Sequence, residues 1–330
     1  MKKLALFSLI ILPMLAASCT SSVTQSSFLM DTVVTYDIAA KDAEQLIGHC
    51  DDLTSALEST LSAHIEESAV SRFNRGEELT DPDALMIAAT AIDVYYNTMG
   101  AYDITVAPLV TLWDVAHADD GWTPPSDGEI NEALGYVGAY KLVLDYDRLI
   151  TPYDGTKIDL GGLAKGYALG VTAEYLSENN AVGTVSFGGN VAVIGSKSDG
   201  SPWQIGVKDP EAPDTLIGVL SLDSGMVAVS GGYERYAEHE GVRYHHIIDP
   251  STGNPSSSDL LSAAVVVDSP DRLSGALCDA LSTALFVLGS DASMTLYESG
   301  VYDFEALLVK EDGTVILTDG LTDRFTAYEK

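Results

Sequence analysis

Three oxygen-bearing side chains share one flank of the last long helical pattern, predicted over about residues 270–288. Asp279 and Thr283 are four residues apart, and Ser282 is three residues from Asp279. In a helix their oxygens therefore lie on neighbouring turns. One carboxylate and two hydroxyls are hard donors that suit Mg²⁺ when substrate phosphates complete its coordination. The alternative is a solvated polar face on which Thr283 bonds back to the helix backbone.

A second segment, residues 157–167, has the composition of an anion site. It predicts a strand that ends at Asp159, the glycine pair Gly161 and Gly162, and a helix with Lys165 in its first turns. A helix N-terminus binds anions through its free N–H groups, and a lysine adds a point charge. The spacing matches neither a Walker loop nor a dinucleotide fingerprint.

Adjacent histidines lie in a strand predicted over residues 244–248. Successive side chains of a strand point to opposite faces, so at most one of His245 and His246 serves a given site, and zinc is poorly supported. His246 near a phosphate would hydrogen-bond it or carry a proton, and Asp249 follows in a turn with Pro250. The alternative is one core histidine next to an exposed one.

The segment over residues 100–113 combines aromatic, acidic and hydroxyl side chains. Gly100 and Pro108 exclude one continuous helix. Asp103 and Thr105 lie two apart, which predicts one face of an extended segment. Its aromatic residues are also candidates for plain core.

The elements that position these residues mix helices and strands without a regular βαβ rhythm. This pattern predicts an α+β fold with a largely antiparallel sheet and packed helices. Helices are predicted at 43–61, 82–99, 130–134, 163–179 and 270–288. Strands are predicted at 28–39, 141–147, 149–152, 183–195 (two, around a Gly-Gly turn), 204–207, 217–222, 226–229, 244–248, 262–267, 306–310 and 314–318, and connections at 68–74 and 116–128.

The composition is that of an acidic globular protein. Among 330 residues, 49 acidic and 17 basic side chains give a net charge of −32, so nucleic acid is a poor partner. The 46% hydrophobic content predicts a sizeable core. Three cysteines cannot make a disulfide framework, and Cys50 and Cys278 lie in apolar segments that predict buried thiols.

The first residues have the features of a secretion signal. Two lysines precede an apolar run that is too short for a membrane span, which predicts a signal peptide over residues 1–18. The run up to Cys19 resembles a bacterial lipobox, so we expect a lipidated Cys19 and a flexible tether over residues 19–27. An acidic chain gains nothing from anionic lipid, so acyl chains would anchor it to the inner membrane's periplasmic face or the cell surface. The alternative is an ordinary secreted protein.

Taken together, eight segments in this order resemble the ApbE family, flavin transferases that act on bacterial extracytoplasmic proteins. The segments are 30–32, 71–74, 101–113, 159–167, 187–190, 230–233, 246–253 and 279–283. The resemblance implies a single ApbE-type, T-fold-like flavin transferase domain over residues 28–330. It also implies binding of FAD as substrate and Mg²⁺-assisted transfer of its FMN half to a Thr or Ser hydroxyl of a partner protein, with release of AMP.

The resemblance also implies roles for individual residues. Contacts with the flavin nucleotide fall on Met30, His64, Ala101, Tyr102, Asp103, Asp159, Lys165 and Ile247. Metal contacts fall on Asp279, Thr283, Ser282 and a backbone oxygen near Gly162. Asp159, Asp249 or His246 would deprotonate the acceptor hydroxyl, and His246 and Asp249 are taken as the catalytic candidates.

Three positions depart from the family pattern. Asp31 replaces the glycine usual after the first methionine, His64 stands where many relatives carry Tyr, and Gly170 replaces an Asp common after the Lys-Gly-Tyr unit. A different residue at position 64 would favour hydrolysis of FAD to FMN and AMP. An FAD pyrophosphatase and a non-catalytic flavin-binding lipoprotein are therefore the alternative functions.

Overall fold

The fold is built on a central antiparallel sheet, described by a computed structural model that covers residues 21–119, 121–212 and 214–328. Eight strands lie in the order β1-β2-β5-β6-β9-β12-β13-β14, and neighbouring strands run antiparallel. A three-stranded sheet, β15-β8-β7, and the small hairpins β3-β4 and β10-β11 complete the strands of the described residues. The predicted α+β class with a largely antiparallel sheet is confirmed.

The strands and helices have the following bounds. The strands are β1 Ser21–Leu29, β2 Thr32–Ala40, β3 Val143–Asp145, β4 Arg148–Ile150, β5 Val182–Phe187, β6 Asn190–Ile194, β7 Trp203–Lys208, β8 Leu216–Leu222, β9 Gly225–Gly231, β10 Tyr236–His239, β11 Val242–His245, β12 Leu260–Val267, β13 Glu305–Lys310, β14 Val315–Leu317 and β15 Phe325–Ala327. The α-helices are α1 Ala43–Leu61, α2 Ala69–Phe73, α3 Pro82–Asn97, α4 Ala107–Trp113, α5 Asp127–Leu134, α6 Gly161–Glu178 and α7 Arg272–Ser299.

The sheet is buried on both faces over its central strands. In β12, Ala263 and Val265 belong to the core beneath α6 and α7, whereas Ala264 and Val266 belong to the core beneath the three-stranded sheet. Because successive residues of a strand alternate in direction, a strand between two cores needs apolar residues throughout. This explains the continuous apolar run of β12 and places the helix layer on one side.

Most predicted elements near the candidate site are confirmed. The helices predicted at 43–61, 82–99 and 163–179 are α1, α3 and α6, and their ends agree within two residues. The two strands around the Gly-Gly turn are β5 and β6. Cys50 and Cys278 are buried free thiols, as predicted.

Several local predictions were wrong. Most of the stretch predicted as a flexible tether forms β1, which pairs along its length with β2. Residues 68–74 are not an irregular connection but contain α2, since the Ser68 hydroxyl accepts a bond from Ser71 N and caps a short helix. The signal peptide and Cys19 lie outside the described residues.

Two further predictions fail at helix ends. Residues 103–105 are not extended, because Asp103 caps a 3₁₀ turn, Ile104–Val106, that leads into α4. The last helix does not stop near residue 288 but continues to Ser299 after a break at Gly289, which has a φ of 78°. The strand predicted over 244–248 ends at His245.

Candidate functional site

The site is formed where α6 crosses α7. A Cβ on Gly166 would lie 2.1 Å from Gly275 O and 2.6 Å from Asp279 Cβ, so only glycine permits this approach. As a result Gly166 N donates to Asp279 Oδ2 at 2.9 Å. The start of α6 and the oxygen-bearing flank of α7, which the sequence predicted as two separate constellations, lie in contact.

Asp279 is a buried carboxylate, and three neighbouring groups favour its ionised form. Burial raises the pKa of Asp279, and the Lys165 ammonium, the Asn190 amide and the Gly166 N–H oppose that rise. The side chain is 5% exposed. A bound cation stabilises the ionised form of a buried carboxylate, because its charge offsets the hydration that the carboxylate has lost.

The two hydroxyls predicted as metal contacts lie beside Asp279 and meet a third. Ser282 Oγ donates to Asp279 O at 2.8 Å and lies 2.8 Å from Ser230 Oγ in β9. Thr283 Oγ1 lies 3.1 Å from the same Ser230 oxygen. Ser282 is fully buried and Thr283 is half-buried, so Thr283 is the more accessible of the two.

The Gly162 carbonyl, the fourth oxygen predicted as a metal contact, lies one turn of α6 before Gly166. In a regular helix Gly166 N–H donates to Gly162 O. Here the same N–H also donates to Asp279 Oδ2, so Gly162 O shares this donor with the carboxylate. The Tyr102 hydroxyl is close by, since a Cβ on Gly162 would lie 3.1 Å from it. Burial and the charges of Asp279 and Asp159 raise the pKa of Tyr102 well above its ordinary value, so it stays protonated.

This donor set fits Mg²⁺. It consists only of carboxylate, hydroxyl and carbonyl oxygens, which Mg²⁺ prefers. Among the described residues, no group of three or more His, Cys, Asp or Glu side chains is placed to hold a metal. A cation here would therefore need water or substrate phosphate to complete its coordination.

The start of α6 supplies the positive side of the site. Lys165 is half-buried, with Nζ donating to Gly161 O at 3.2 Å, and its charge acts on Asp279 and His246. Asp159 Oδ1 accepts from Gly161 N at 2.7 Å, which fixes the first turn of the helix. An anion at this end would meet the ammonium and the helix N-terminus together.

His246 is held in one tautomer by Arg235. Both His246 N and its Nδ1 lie 3.1 Å from Arg235 O. A carbonyl only accepts, so Nδ1 carries the proton and Nε2 keeps a free lone pair. Burial lowers the pKa of His246 to about 4, which makes it neutral at pH 7. His245 instead contacts Ser256 O through Nε2 at 3.0 Å.

Arg235 also reaches the turn between β1 and β2. Its guanidinium pairs with Asp31 Oδ2 at 2.9 Å and donates to Asp31 O at 3.1 Å. Met30 and Asp31 both have positive φ, 51° and 56°. Arg235 therefore connects the Met30 turn to the histidine.

Two predicted site carboxylates stabilise loops in this structure. Asp249 Oδ1 accepts from Ser251 N at 2.8 Å and from its hydroxyl at 2.7 Å. Asp103 Oδ1 accepts from Thr105 N and Oγ1 at 2.7 and 2.6 Å, and Oδ2 accepts from Ala139 N at 3.1 Å. Among the described residues, neither His246 Nε2 nor Asp249 Oδ2 makes a hydrogen bond, but Asp249 is held in its own turn through Oδ1.

The remaining predicted nucleotide contacts differ in position. Ala101 directly precedes the buried Tyr102, and Ile247 is buried next to His246. His64 is exposed in the turn after α1, where its backbone N–H donates to Ser62 Oγ. In the described part of the chain, no hydrogen bond or ion pair joins the His64 side chain to the other predicted residues. The roles of these residues stay predictions.

Three residues of the site received no role from the sequence. They are Asn190, whose amide favours the ionised form of Asp279, Ser230, which contacts both hydroxyls of α7, and Glu234, next to the Gly189 turn. Desolvation raises the pKa of Glu234, and the charge of Lys165 opposes the rise. Asn190 and Ser230 lie in segments 187–190 and 230–233, so the resemblance marked them without assigning a function.

Comparison with protein families and curated proteins identifies relatives. The ApbE family model matches residues 30–308. An FAD:protein FMN transferase from Vibrio cholerae serotype O1 is 30% identical over 279 residues, covering 82% of each chain. Another from Klebsiella pneumoniae is 32% identical over 233 residues, covering 69% of each chain.

Solved structures show the same fold. The ApbE protein from Thermotoga maritima superposes with a TM-score of 0.83 at 33% identity, covering 92% of this chain and 99% of that chain. The flavin transferase ApbE from Vibrio cholerae superposes with a TM-score of 0.80 at 26% identity, over the same fractions of the two chains, 92% and 99%.

Proposed function

Because this chain belongs to the ApbE family, we propose that it is an FAD:protein FMN transferase. It moves FMN from FAD onto a Thr or Ser hydroxyl of an extracytoplasmic partner protein and releases AMP. The observation that carries the proposal is the 2.9 Å bond from Gly166 N to Asp279 Oδ2. That bond brings an anion-binding helix start and a cation-binding oxygen flank into one site, which is what a diphosphate substrate with Mg²⁺ requires.

The diphosphate of FAD lies against the start of α6. Lys165 and the Gly162 N–H neutralise part of its charge. The other N–H groups of the first turn are engaged, since Gly161 N donates to Asp159 Oδ1 and the N–H groups of residues 163 and 164 donate to Leu160 O. The flavin and adenosine groups lie against residues that the family pattern assigns to them, chiefly Met30 and Ile247, and the protonated Tyr102 hydroxyl is available as a donor.

Asp279, Thr283 and the Gly162 carbonyl would hold the Mg²⁺, with Ser282 supporting them. When bound, the ion would stabilise negative charge on the diphosphate as its bond breaks. The protein's part is to hold these oxygens in fixed positions through Gly166 N and Ser230 Oγ.

The transfer step exchanges one phosphorus–oxygen bond for another. The acceptor hydroxyl oxygen bonds to the phosphorus of the FMN half, and the bond from that phosphorus to the oxygen of the AMP phosphate breaks. AMP leaves with the bonding electron pair. The hydroxyl proton goes to His246 Nε2, which is unprotonated and held in position by the bond from Nδ1 to Arg235 O.

The test is a covalent-labelling assay with a matched control. The protein is incubated with FAD, Mg²⁺ and an acceptor protein that a related transferase labels. We expect a fluorescent flavin adduct that survives denaturation, with one AMP released per adduct. The control reaction lacks the acceptor.

Two outcomes of this pair of reactions contradict the proposal. Release of FMN and AMP without acceptor, and no adduct with it, would make the protein an FAD pyrophosphatase, the alternative for which His64 is the sequence argument. Intact FAD in both reactions would make it a flavin-binding lipoprotein.

The location proposed for this activity is the extracytoplasmic face of a bacterial membrane. A signal peptide over residues 1–18 and lipid on Cys19 would hold the chain there. The acceptor protein would then be reached outside the cytoplasm.

A further inference from the structure

Asn190 carries a buried donor that has no partner. It begins β6, directly after the Gly188-Gly189 turn, and is 3% exposed. Its Oδ1 accepts from Val229 N at 3.2 Å. Its Nδ2 makes no hydrogen bond within the described residues. Because Val229 N–H requires an acceptor, the oxygen and nitrogen of this amide cannot be exchanged.

The unpartnered nitrogen points into the candidate site. Ala192, the next residue on the same face of β6, belongs to the core beneath the helix layer, so Asn190 faces α6 and α7. Its amide is close enough to Asp279 to favour the ionised carboxylate, although no hydrogen bond of normal geometry joins them. The charge of Lys165 of α6 acts on the same carboxylate.

Native proteins rarely leave such a group unsatisfied. A buried donor without an acceptor is destabilising, and each case requires an explanation such as a ligand. Here the neighbouring donors, Lys165 and the first turn of α6, favour an anion. An anionic oxygen placed between them and β6 would satisfy Asn190 Nδ2 and face the Lys165 ammonium.

We propose that Asn190 is a phosphate-binding residue whose Nδ2 donates to an oxygen of the FAD diphosphate. This inference rests on the proposed function, since it takes the flavin dinucleotide as the substrate. Val229 N fixes the amide in advance, so the donor is directed into the site before substrate arrives.

The test compares ligands with and without phosphate on Asn190→Asp. This variant keeps the shape and the acceptor for Val229 N but replaces the donor with an anionic oxygen. We expect the dissociation constant of FAD, measured by flavin fluorescence in EDTA without metal, to rise about tenfold to a hundredfold, as for loss of a hydrogen bond to a charged group. Binding of riboflavin, which has no phosphate, should be unchanged.

A second variant and a control keep the test independent of folding. Asn190→Ala removes the donor without adding charge, and we expect a smaller rise in the FAD dissociation constant, of about tenfold. Thr172→Val is the matched control, because Thr172 Oγ1 is another buried atom without a partner but is fully buried in α6. Thermal unfolding and circular dichroism verify that each variant is folded.

Unchanged metal-free FAD affinity in the folded variants would overturn the inference. If the variants then also required more Mg²⁺, Asn190 would be a positioning residue for Asp279 instead. Failure of the proposed function is recognised separately, because wild-type protein would then bind FAD without forming an adduct.

Discussion

Asp279 supplies the one negative charge among the oxygens grouped with Ser282 and Thr283 on α7. Asp279→Ala removes that charge, and we expect flavin transfer to fall by at least about a hundredfold. The fold should persist, because the change also removes the cost of burying a carboxylate. The measurement is adduct formation at several Mg²⁺ concentrations.

Asp291→Ala is the control for this variant. Asp291 is an exposed carboxylate of the same helix beyond the Gly289 break, and its removal should leave transfer unchanged. Full turnover of Asp279→Ala at saturating Mg²⁺ would remove Asp279 from the metal site.

The pH dependence of transfer should follow His246. Its pKa is lowered from 6.5 to about 4, first by burial, so the imidazole stays neutral well below pH 6.5. A neutral Nε2 is the form that accepts a proton, so the rate constant should stay flat from about pH 8 to about pH 5 and fall only as the pH approaches the lowered value. A pH profile of kcat at saturating FAD and Mg²⁺ measures this.

Substitution of His246 distinguishes a role as general base from a role in packing alone. His246→Gln should lower kcat by about a hundredfold or more with little change in FAD affinity, since a general base acts on the bond-making step. His117→Gln, at an exposed position where the histidine pairs with Asp114, is the control. A loss of activity centred near pH 6.5, or an active His246→Gln, contradicts this assignment.

At the scale of elements, the crossing of α6 and α7 sets the geometry of the site. Gly166→Ala would place a methyl group 2.1 Å from Gly275 O, so the helices must separate. We expect a loss of about 1–3 kcal/mol in the free energy of unfolding. Mg²⁺-dependent transfer should fall as well, because Asp279 moves away from Gly162.

Gly48→Ala provides the matched comparison. Gly48 is an exposed position in α1 where an added Cβ meets nothing within 4 Å. Alanine should there stabilise the protein by about 0.5–1 kcal/mol. Urea unfolding of both variants measures the difference, and equal effects would show that the helix crossing is not constrained by glycine.

The elements that the sequence predicted well have a signal in their own residues. The helices α1 and α3 bury apolar residues at helical spacing, whereas α6 and β12 are buried on nearly all sides and show as runs of apolar and small residues. The strand β1 was missed because its residues are mostly Ser, Thr and Gln, and it forms by pairing with β2. Such a strand is stabilised by a partner distant from any local signal.

The sequence predicted which residue types form the site but not which elements bring them together. The chemistry of Asp279, Thr283 and Lys165 follows from their residue types. Asn190 and Ser230 acquire a role only because β6 and β9 lie beneath the crossing helices. That proximity depends on the sheet order, which no local sequence pattern contains.

At the scale of the whole molecule, the net charge of −32 governs how the protein can be held at a membrane. An anionic lipid surface repels such a chain, so basic residues cannot provide the attachment. The proposed anchor at Cys19 lies two residues before Ser21, where β1 begins. The nine residues of β1 span about 30 Å, so the Met30 turn lies at the end of the hairpin remote from the anchor.

The attachment can be tested by fractionating bacteria that produce the full chain. We expect the wild-type protein in the membrane fraction, and we expect high salt to leave it there, because buried acyl chains are insensitive to ionic screening. Cys19→Ser should move the protein to the soluble extracytoplasmic fraction with flavin transfer intact, whereas Cys50→Ser, a change at a buried thiol, should remain in the membrane. Membrane retention of Cys19→Ser would contradict the lipid anchor, and salt release of the wild-type chain would mean that the membrane holds it by charge in spite of its acidity.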